Sequence, residues 1–283
     1  NASIASMTTT AAVPVFDNGT GSYIRISGTQ HTEAVSSMPD WLAQMLHNLI
    51  LTGQCTDITL ELNDSLMTQV LDSGTVSTSS DFVLAGTCTT SFQTSGANRS
   101  NNIAVGASRL NNLIVLPGQT VSVSDTILPR TRANGYKEAG VYVNGAHTTG
   151  LGGGVCQISS TVYNAVKNAG LTVVQRNPHS MPVSYLPKGL DAAIAAGSKD
   201  LKFRNDYTTP VVLYTDTSNK HLTVNVLVWN QELAGRSFKL WAKQTGALSA
   251  DTYFTTYLNG KEISTQFVGT SRYNPYREAV NDD

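Results

Sequence analysis

Between Gly150 and Gly170 the chain reads Gly-Leu-Gly-Gly-Gly-Val-Cys-Gln-Ile-Ser-Ser-Thr-Val-Tyr-Asn-Ala-Val-Lys-Asn-Ala-Gly, and no other stretch restricts its folding so tightly. Val155, Ser159, Val162, Val166 and Ala169 recur at helical spacing, and Gly170 stands where a left-handed residue closes a helix. The pattern predicts a helix from about Cys156 to Ala169. Cys156 then sits in the first turn, where backbone N–H groups lack partners and the positive end of the helix dipole favours thiolate over thiol. Those N–H groups are also suited to binding the oxyanion of a tetrahedral intermediate. Gly152 to Gly154 are expected to supply backbone angles that other residues resist and to leave room for a substrate beside the sulfur. Each feature alone also fits a tight turn and a packed cysteine. Their conjunction points to a nucleophile.

A thiolate needs a base or an ion-pair partner, and of five histidines His179 is best placed. It follows a predicted strand, Leu171 to Gln175, by a short loop containing Pro178, so a helix-strand reversal returns it to the helix start. Asp191 is the first candidate to orient it, beginning an extended Ala192 to Ala196 segment after the Pro187-Lys-Gly189 turn, and Asp200 is the reserve. The order of helix-borne Cys, strand-associated His and then an acid is similar to that of papain-like and transglutaminase-like hydrolases.

Around this centre the patterns are mixed. Ser37-Met-Pro-Asp40 caps a helix striped by Trp41, Leu42, Met45, Leu46, Leu49 and Ile50, while Tyr23–Ser27 and Ile58–Leu62 read as strands and 63–71 as a short helix. A further helix is predicted over Asn98–Asn111, and Val121–Val143, broken by Pro129 and Gly135, suits strands and loops. After Gly170 the chain turns to β, at Val183–Leu186, Leu201–Phe203 and Val211–Tyr214. Leu222, Val224, Val226 and Val228 alternate strictly, so that strand buries one face and pairs with Val211–Tyr214 through a turn at Ser218-Asn219. A second hairpin turns at Asn259-Gly260. The C-terminal third is expected to continue the core sheet. The fold class is therefore α+β: a Cys-bearing helix on a mixed or antiparallel sheet, with a β-rich C-terminal extension and a small N-terminal α/β module.

Composition narrows the partners. Nineteen basic residues against twenty acidic ones leave no positive surplus for nucleic acid, and only 14% of the chain is charged, as in many secreted β-rich proteins. No CxxC or HxxxH spacing accompanies Cys156, so neither metal nor other cofactor is expected. Cys55 and Cys88 either pair or serve as small hydrophobes. Residues 1–14 look like a tag remnant and linker, and a signal peptide or membrane anchor is expected outside the sequence. Nothing in the residues sets an oligomeric state.

Several segments together resemble the VanW domain family of bacterial cell-envelope proteins. They are Asn98-Arg99 with Asn102-Ile103, Leu116-Pro-Gly118, Arg130-Thr131, Gly135-Tyr-Lys-Glu-Ala139, Gly152-Gly-Gly-Val-Cys-Gln-Ile-Ser-Ser-Thr161, Pro178-His-Ser-Met-Pro-Val-Ser-Tyr185, Gly189-Leu-Asp-Ala192 and Asp200-Leu-Lys-Phe-Arg-Asn205, with a tail at Tyr257–Lys261 and Ser271–Pro275. Departures fall at Gln119, Val121 and Val123, where the family shows a Glu-x-Phe-x-Phe pattern, and at Leu128-Pro129. The resemblance implies a domain over 86–283, its C-terminal extension beginning near 206, after an N-terminal module over 15–85 that resembles peptidoglycan-binding regions. Some members are regarded as L,D-transpeptidases that join peptidoglycan stem peptides by 3-3 cross-links through a cysteine thioester, which would make Cys156 the nucleophile. Gly153, Gly154, Gln157, Ser159, Arg99, Tyr136, Arg176, Ser180 and Tyr185, within or beside these segments, are the candidate substrate and oxyanion residues. The implied setting is extracytoplasmic, in a Gram-positive envelope. A peptidase or carboxypeptidase acting on stem peptides, and a non-catalytic wall-binding or resistance accessory module, are the competing readings.

Overall fold

A computed structural model of the chain describes residues 11–14, 23–27, 59–61, 82–143, 146–195 and 197–275, with side chains from residue 83 onward except 142–147. Residues 1–83 with 229–231 form one unit, and 84–228 with 232–283 the other. In the first, β1 (Ala11–Pro14) pairs antiparallel to β2 (Tyr23–Ser27), which runs parallel to β3 (Thr59–Glu61). Both β2 and β3 fall on predicted strands. The helix expected after Ser37, the helix expected over 63–71, and Cys55 lie outside the described residues.

The larger unit is α+β and mostly antiparallel. Its central sheet has the order β4-β12-β11-β5, from β4 (Phe82–Ser91), β5 (Leu113–Val115), β11 (Val211–Asp216) and β12 (His221–Trp229). The strict alternation in β12 is realised: Leu222, Val224, Val226 and Val228 are fully buried, with exposed or half-buried residues between them. Asn219 and Lys220, at φ 52 and 55, turn β11 into β12 where the sequence placed the hairpin. Two helices complete this core, α1 (Ala97–Ser108) and α3 (Val155–Asn168), with the short α2 (Val123–Thr126) between them in the chain. α1 meets α3 where Gly106 lies against Ile158.

α3 begins and ends within a residue of its predicted limits. Its C-terminus closes in a Schellman arrangement: Gly170 N–H donates to Lys167 O and Leu171 N–H to Val166 O, both at 3.0 Å, with Gly170 at φ 83. Ile158, Val162, Ala165, Val166 and Ala169 are fully buried on its apolar side. The opposite side is also buried, although it carries Ser159, Ser160 and Asn164. That polar face is what positions the site.

Three further sheets surround the core. β6 (Thr120–Ser122), β10 (Lys202–Arg204) and β9 (Thr172–Gln175) form one in the order β6-β10-β9, and β7 (Glu138–Val143) pairs with β8 (Ala146–Leu151) just before the glycines. β13 (Arg236–Gly246), β14 (Ser249–Leu258) and β15 (Lys261–Arg272) make a sheet of their own. The expectation that the C-terminal third continues the core sheet thus holds for β11 and β12 and is corrected for β13–β15. The Asn259-Gly260 hairpin is where the sequence put it, between β14 and β15.

Two local readings also change. Val123–Thr126 is a helical turn rather than extended chain, because the Ser122 hydroxyl accepts from the Asp125 N–H as an N-cap. Val183–Leu186 is not a strand: residues 176–195 and 197–201 run without regular structure apart from a bridge between Ala195 and Lys199. Side chains of α3 satisfy the backbone of this segment in place of a strand partner, as detailed below.

Gly86 shows how tightly β4 lies on α3. A Cβ there would stand 2.3 Å from the Ala165 carbonyl oxygen and 2.4 Å from the Ala169 nitrogen, both backbone atoms that cannot swing aside. Gly86→Ala should therefore cost on the order of 3 kcal/mol in denaturant unfolding, whereas Gly96→Ala, with φ −63 and nothing within 4 Å, should cost under about 1 kcal/mol. Equal costs for the two would contradict this packing.

Candidate active site

The turn before Cys156 is built by three glycines with separate reasons. Gly152 and Gly154 adopt φ 80 and 113, while a Cβ on Gly153 would stand 2.6 Å from Gly140 O and 2.8 Å from the Ala139 carbonyl on β7. Beside Gly152 lies the aliphatic stem of Arg130, and beside Gly154 that of Arg99 together with Ile103. The room left by the missing side chains is therefore filled by the protein. Asn102, fully buried, pins the arrangement: its Nδ2 donates to Lys137 O and Gly153 O at 2.8 and 3.0 Å, and its Oδ1 accepts from Lys137 N–H. Val155 and Gln157 N–H groups donate back to Gly152 and Gly154 carbonyls, which fixes the start of α3. Cys156 lies between them, half-buried.

The polar face of α3 holds the segment opposite. Ser159 Oγ donates to Ala192 O at 2.5 Å, Ser160 Oγ accepts from Ala192 N–H at 2.9 Å, and Asn164 Nδ2 donates to Leu190 O at 2.7 Å. Asp191 is clamped between these contacts, and Ile194, two residues beyond Ala192, places its carbonyl oxygen 3.3 Å from the Cys156 sulfur. One helix thus carries the thiol and also grips the segment that carries the carboxylate.

His179 lies between the two. Its Nδ1 is 2.7 Å from Asp191 Oδ2, and its backbone N–H donates to the same oxygen at 2.7 Å. The imidazole also shares a hydrogen bond with the Cys156 sulfur. Because Nδ1 is engaged by Asp191, the nitrogen facing the sulfur is Nε2. Asp191, with its side chain 1% exposed, further accepts from Tyr273 OH at 2.5 Å and from Arg176 Nη2 at 3.3 Å, both on Oδ1. Arg176 stacks over the buried Tyr163 ring at 5.4 Å and donates through Nε to Asp191 O.

These contacts set the protonation states. Burial alone would raise the Cys156 pKa, but the hydrogen bond and charge of His179, with the charge of Arg130, outweigh it and hold the thiol below its ordinary value. Burial alone would lower the His179 pKa, yet hydrogen bonds to Asp191 and Cys156 raise it to about 9. Burial likewise opposes ionisation of Asp191, and the donors from His179 and Tyr273 overcome it, keeping the carboxyl below its usual range. The arrangement favours a thiolate, an imidazolium and a carboxylate in line. Cys88 contrasts with it: a free thiol on β4 that burial pushes up to about 12.

The other predicted residues divide by position. Tyr185 is at the site, its hydroxyl 3.5 Å from Ser160 Oγ, its pKa raised by burial and by the nearby Cys156 charge. Arg99 borders it, with Nη1 on Ser95 Oγ at 2.6 Å. Ser180 is exposed, and its carbonyl accepts from the Asn274 N–H. Gln157 points the other way, its Nε2 donating to Thr90 Oγ1 and Ser91 O on β4, so it serves packing rather than the sulfur. Tyr136 is also away from the sulfur, fully buried with its hydroxyl on Ile127 O at 2.8 Å. Asp200, the reserve partner for His179, instead accepts from Ser122 Oγ at 2.6 Å and Ser124 N–H at 3.0 Å, tying the start of α2 to the chain entering β10. It is therefore not the orienting acid. Asp191 reaches His179 without the strand that first suggested it: Ala193 N–H donates to Asn177 O at 2.7 Å, and the surrounding segment is irregular.

Arg130, Ile194 and Tyr273 were not singled out from the sequence. Arg130 and Tyr273 did fall within motif segments, but nothing in the local pattern links them to Cys156. Among the described residues, no group of three His, Cys, Asp or Glu converges as a metal site.

Comparison with known proteins finds relatives for part of the chain. Residues 98–227 match the model of the VanW-like protein family. The uncharacterized protein YoaR of Bacillus subtilis is 42% identical over 128 residues, which cover 45% of this chain and 42% of that protein. The vancomycin B-type resistance protein VanW of Enterococcus faecalis is 36% identical over 114 residues, covering 38% of this chain and 42% of its own length. The aligned regions thus span about two fifths of either relative. No solved structure gives a significant match. The stretch from 98 to 227, which includes Cys156, His179 and Asp191, is the part of the chain that matches the VanW-like family.

Proposed function

We propose that this protein is a cysteine acyltransferase of the L,D-transpeptidase type, acting on peptidoglycan stem peptides outside the cytoplasm. The observation that carries the reading is the continuous chain Cys156–His179–Asp191 at the start of a buried helix. The order of helix-borne Cys, then His, then an acid resembles that of papain-like and transglutaminase-like thiol hydrolases. The substrate class rests on the motif resemblance and on the printed name of the vancomycin-resistance relative.

In this reading the Cys156 thiolate attacks a stem-peptide carbonyl, and the resulting oxyanion is met by the backbone N–H of Cys156 itself, since the Val155 and Gln157 N–H groups are held by the glycine carbonyls. The intermediate collapses with cleavage of the C–N bond, and the departing amine takes the proton held on His179 Nε2. A thioester on Cys156 remains. An amine of a second stem then attacks it, His179 accepts the amine proton, and the thiolate leaves with the new amide formed. Water in place of the amine would give a carboxypeptidase or endopeptidase. Asp191 holds Nδ1–H throughout, so that Nε2 stays aimed at the sulfur.

Incubation with tetrapeptide muropeptides, followed by mass spectrometry of the intact protein, should show a thioester adduct that Cys156→Ala loses completely while keeping its fold. No adduct on the wild-type protein would favour a wall-binding module without turnover. Reactivity of the thiol gives an independent test. Because the Cys156 pKa is lowered, alkylation by iodoacetamide should reach its plateau at a lower pH than for an ordinary cysteine. His179→Ala, which leaves burial unopposed by the imidazolium, should move the alkylation midpoint upward. Turnover needs the imidazolium as well, so it should fall as pH rises through about 9. An unchanged midpoint in His179→Ala would remove the ion pair from the mechanism.

A further inference from the structure

The C-terminal sheet lies beyond the residues that match the family, which end at 227, yet it bonds repeatedly to the loop carrying His179 and Asp191. Thr252 Oγ1 donates to Gly189 O at 2.9 Å, Arg176 Nη1 donates to Ser271 Oγ at 2.9 Å, and Asn274 N–H donates to Ser180 O at 2.7 Å. Gly189, at φ 93, has no space for a Cβ because Thr252 and Ala242 would stand 2.9 and 3.0 Å from it. The most informative contact is made by Tyr273, 6% exposed and directly after β15.

The hydrogen-bond directions at Tyr273 are forced. Gly189 N–H can only donate, so the Tyr273 oxygen accepts from it at 2.6 Å. The phenolic proton is then given to Asp191 Oδ1 at 2.5 Å, since a carboxylate can only accept. Asp191 Oδ2, in turn, takes the two His179 N–H groups. Without the tyrosine hydroxyl, Oδ1 keeps only Arg176 Nη2 at 3.3 Å, a longer bond that constrains the carboxylate plane less.

We infer that Tyr273 is a positioning residue for the Cys156 nucleophile: it fixes the carboxylate plane of Asp191, through that the imidazole of His179, and so makes the C-terminal sheet part of the reacting unit. The inference rests on the Cys156–His179–Asp191 reading above. It goes beyond it by assigning a role to a residue 82 positions away from the carboxylate and outside the family match.

A merely structural tyrosine would loosen the Gly189 turn whether or not His179 is present, so a double-mutant cycle separates the two roles. The readout is the second-order rate constant for iodoacetamide alkylation of Cys156 in the full chain at pH 7. Tyr273→Phe, which keeps the ring, should slow alkylation roughly three- to tenfold in the wild-type background and by less than about twofold in His179→Ala. Equal factors in the two backgrounds, or no slowing in the wild type, would overturn the inference. If the wild-type thiol reacts no faster than that of His179→Ala, the thiolate–imidazolium pair itself fails and the role of Tyr273 falls with it. That pattern differs from equal factors in both backgrounds. If Tyr273→Phe does not fold, Tyr273→Met, which fills apolar space and likewise lacks a donor, carries the same cycle and is judged by the same factors.

Discussion

A carboxylate leaves water only if other donors replace the solvent, and Asp191 receives four: two from His179, one from Tyr273 and one from Arg176. Arg176 and His179 lie in the irregular chain directly after β9, and Tyr273 directly after β15. Satisfying this one buried charge therefore ties the irregular chain around Asp191 to the C-terminal sheet. The same charge holds a proton on His179, and that proton holds the Cys156 thiol below its ordinary pKa. Structure and reactivity rest here on a single desolvated group.

Helix α3 supplies the opposing half. A helix that is polar on one side ordinarily turns that side to water, yet Ser159, Ser160 and Asn164 are buried and bond the backbone of residues 190–192. The loop needs those partners because it has no strand neighbour for most of its length. The thiol at the first turn and the carboxylate opposite are consequently set by one rigid body. The distance between them does not depend on a loop closing.

Local patterns were legible to the extent that one element determined them. The limits of α3, the alternation in β12 and the two hairpin turns follow from spacing and turn chemistry within some ten residues, and the structure keeps them. Cys156 and His179 were legible because a glycine run before a helix and a histidine after the next strand are local signals. Asp191 was found for a partly mistaken reason, since the strand expected beside it is a side-chain-supported loop. Val183–Leu186 misled because its apolar residues suit a strand, yet among the described residues no strand lies beside it to pair with. Tyr273 carries no signal of its own. Its role depends on a contact 82 residues distant, which neither periodicity nor motif can express.

The central claim is that Asp191 keeps His179 protonated against the Cys156 thiolate, and the imidazole reports on it directly. In a nitrogen-15 NMR titration of the wild-type protein labelled at histidine, both ring nitrogens of His179 should remain protonated through neutral pH and lose a proton with a midpoint near 9. A midpoint near 6.5, the ordinary histidine value, would contradict the account.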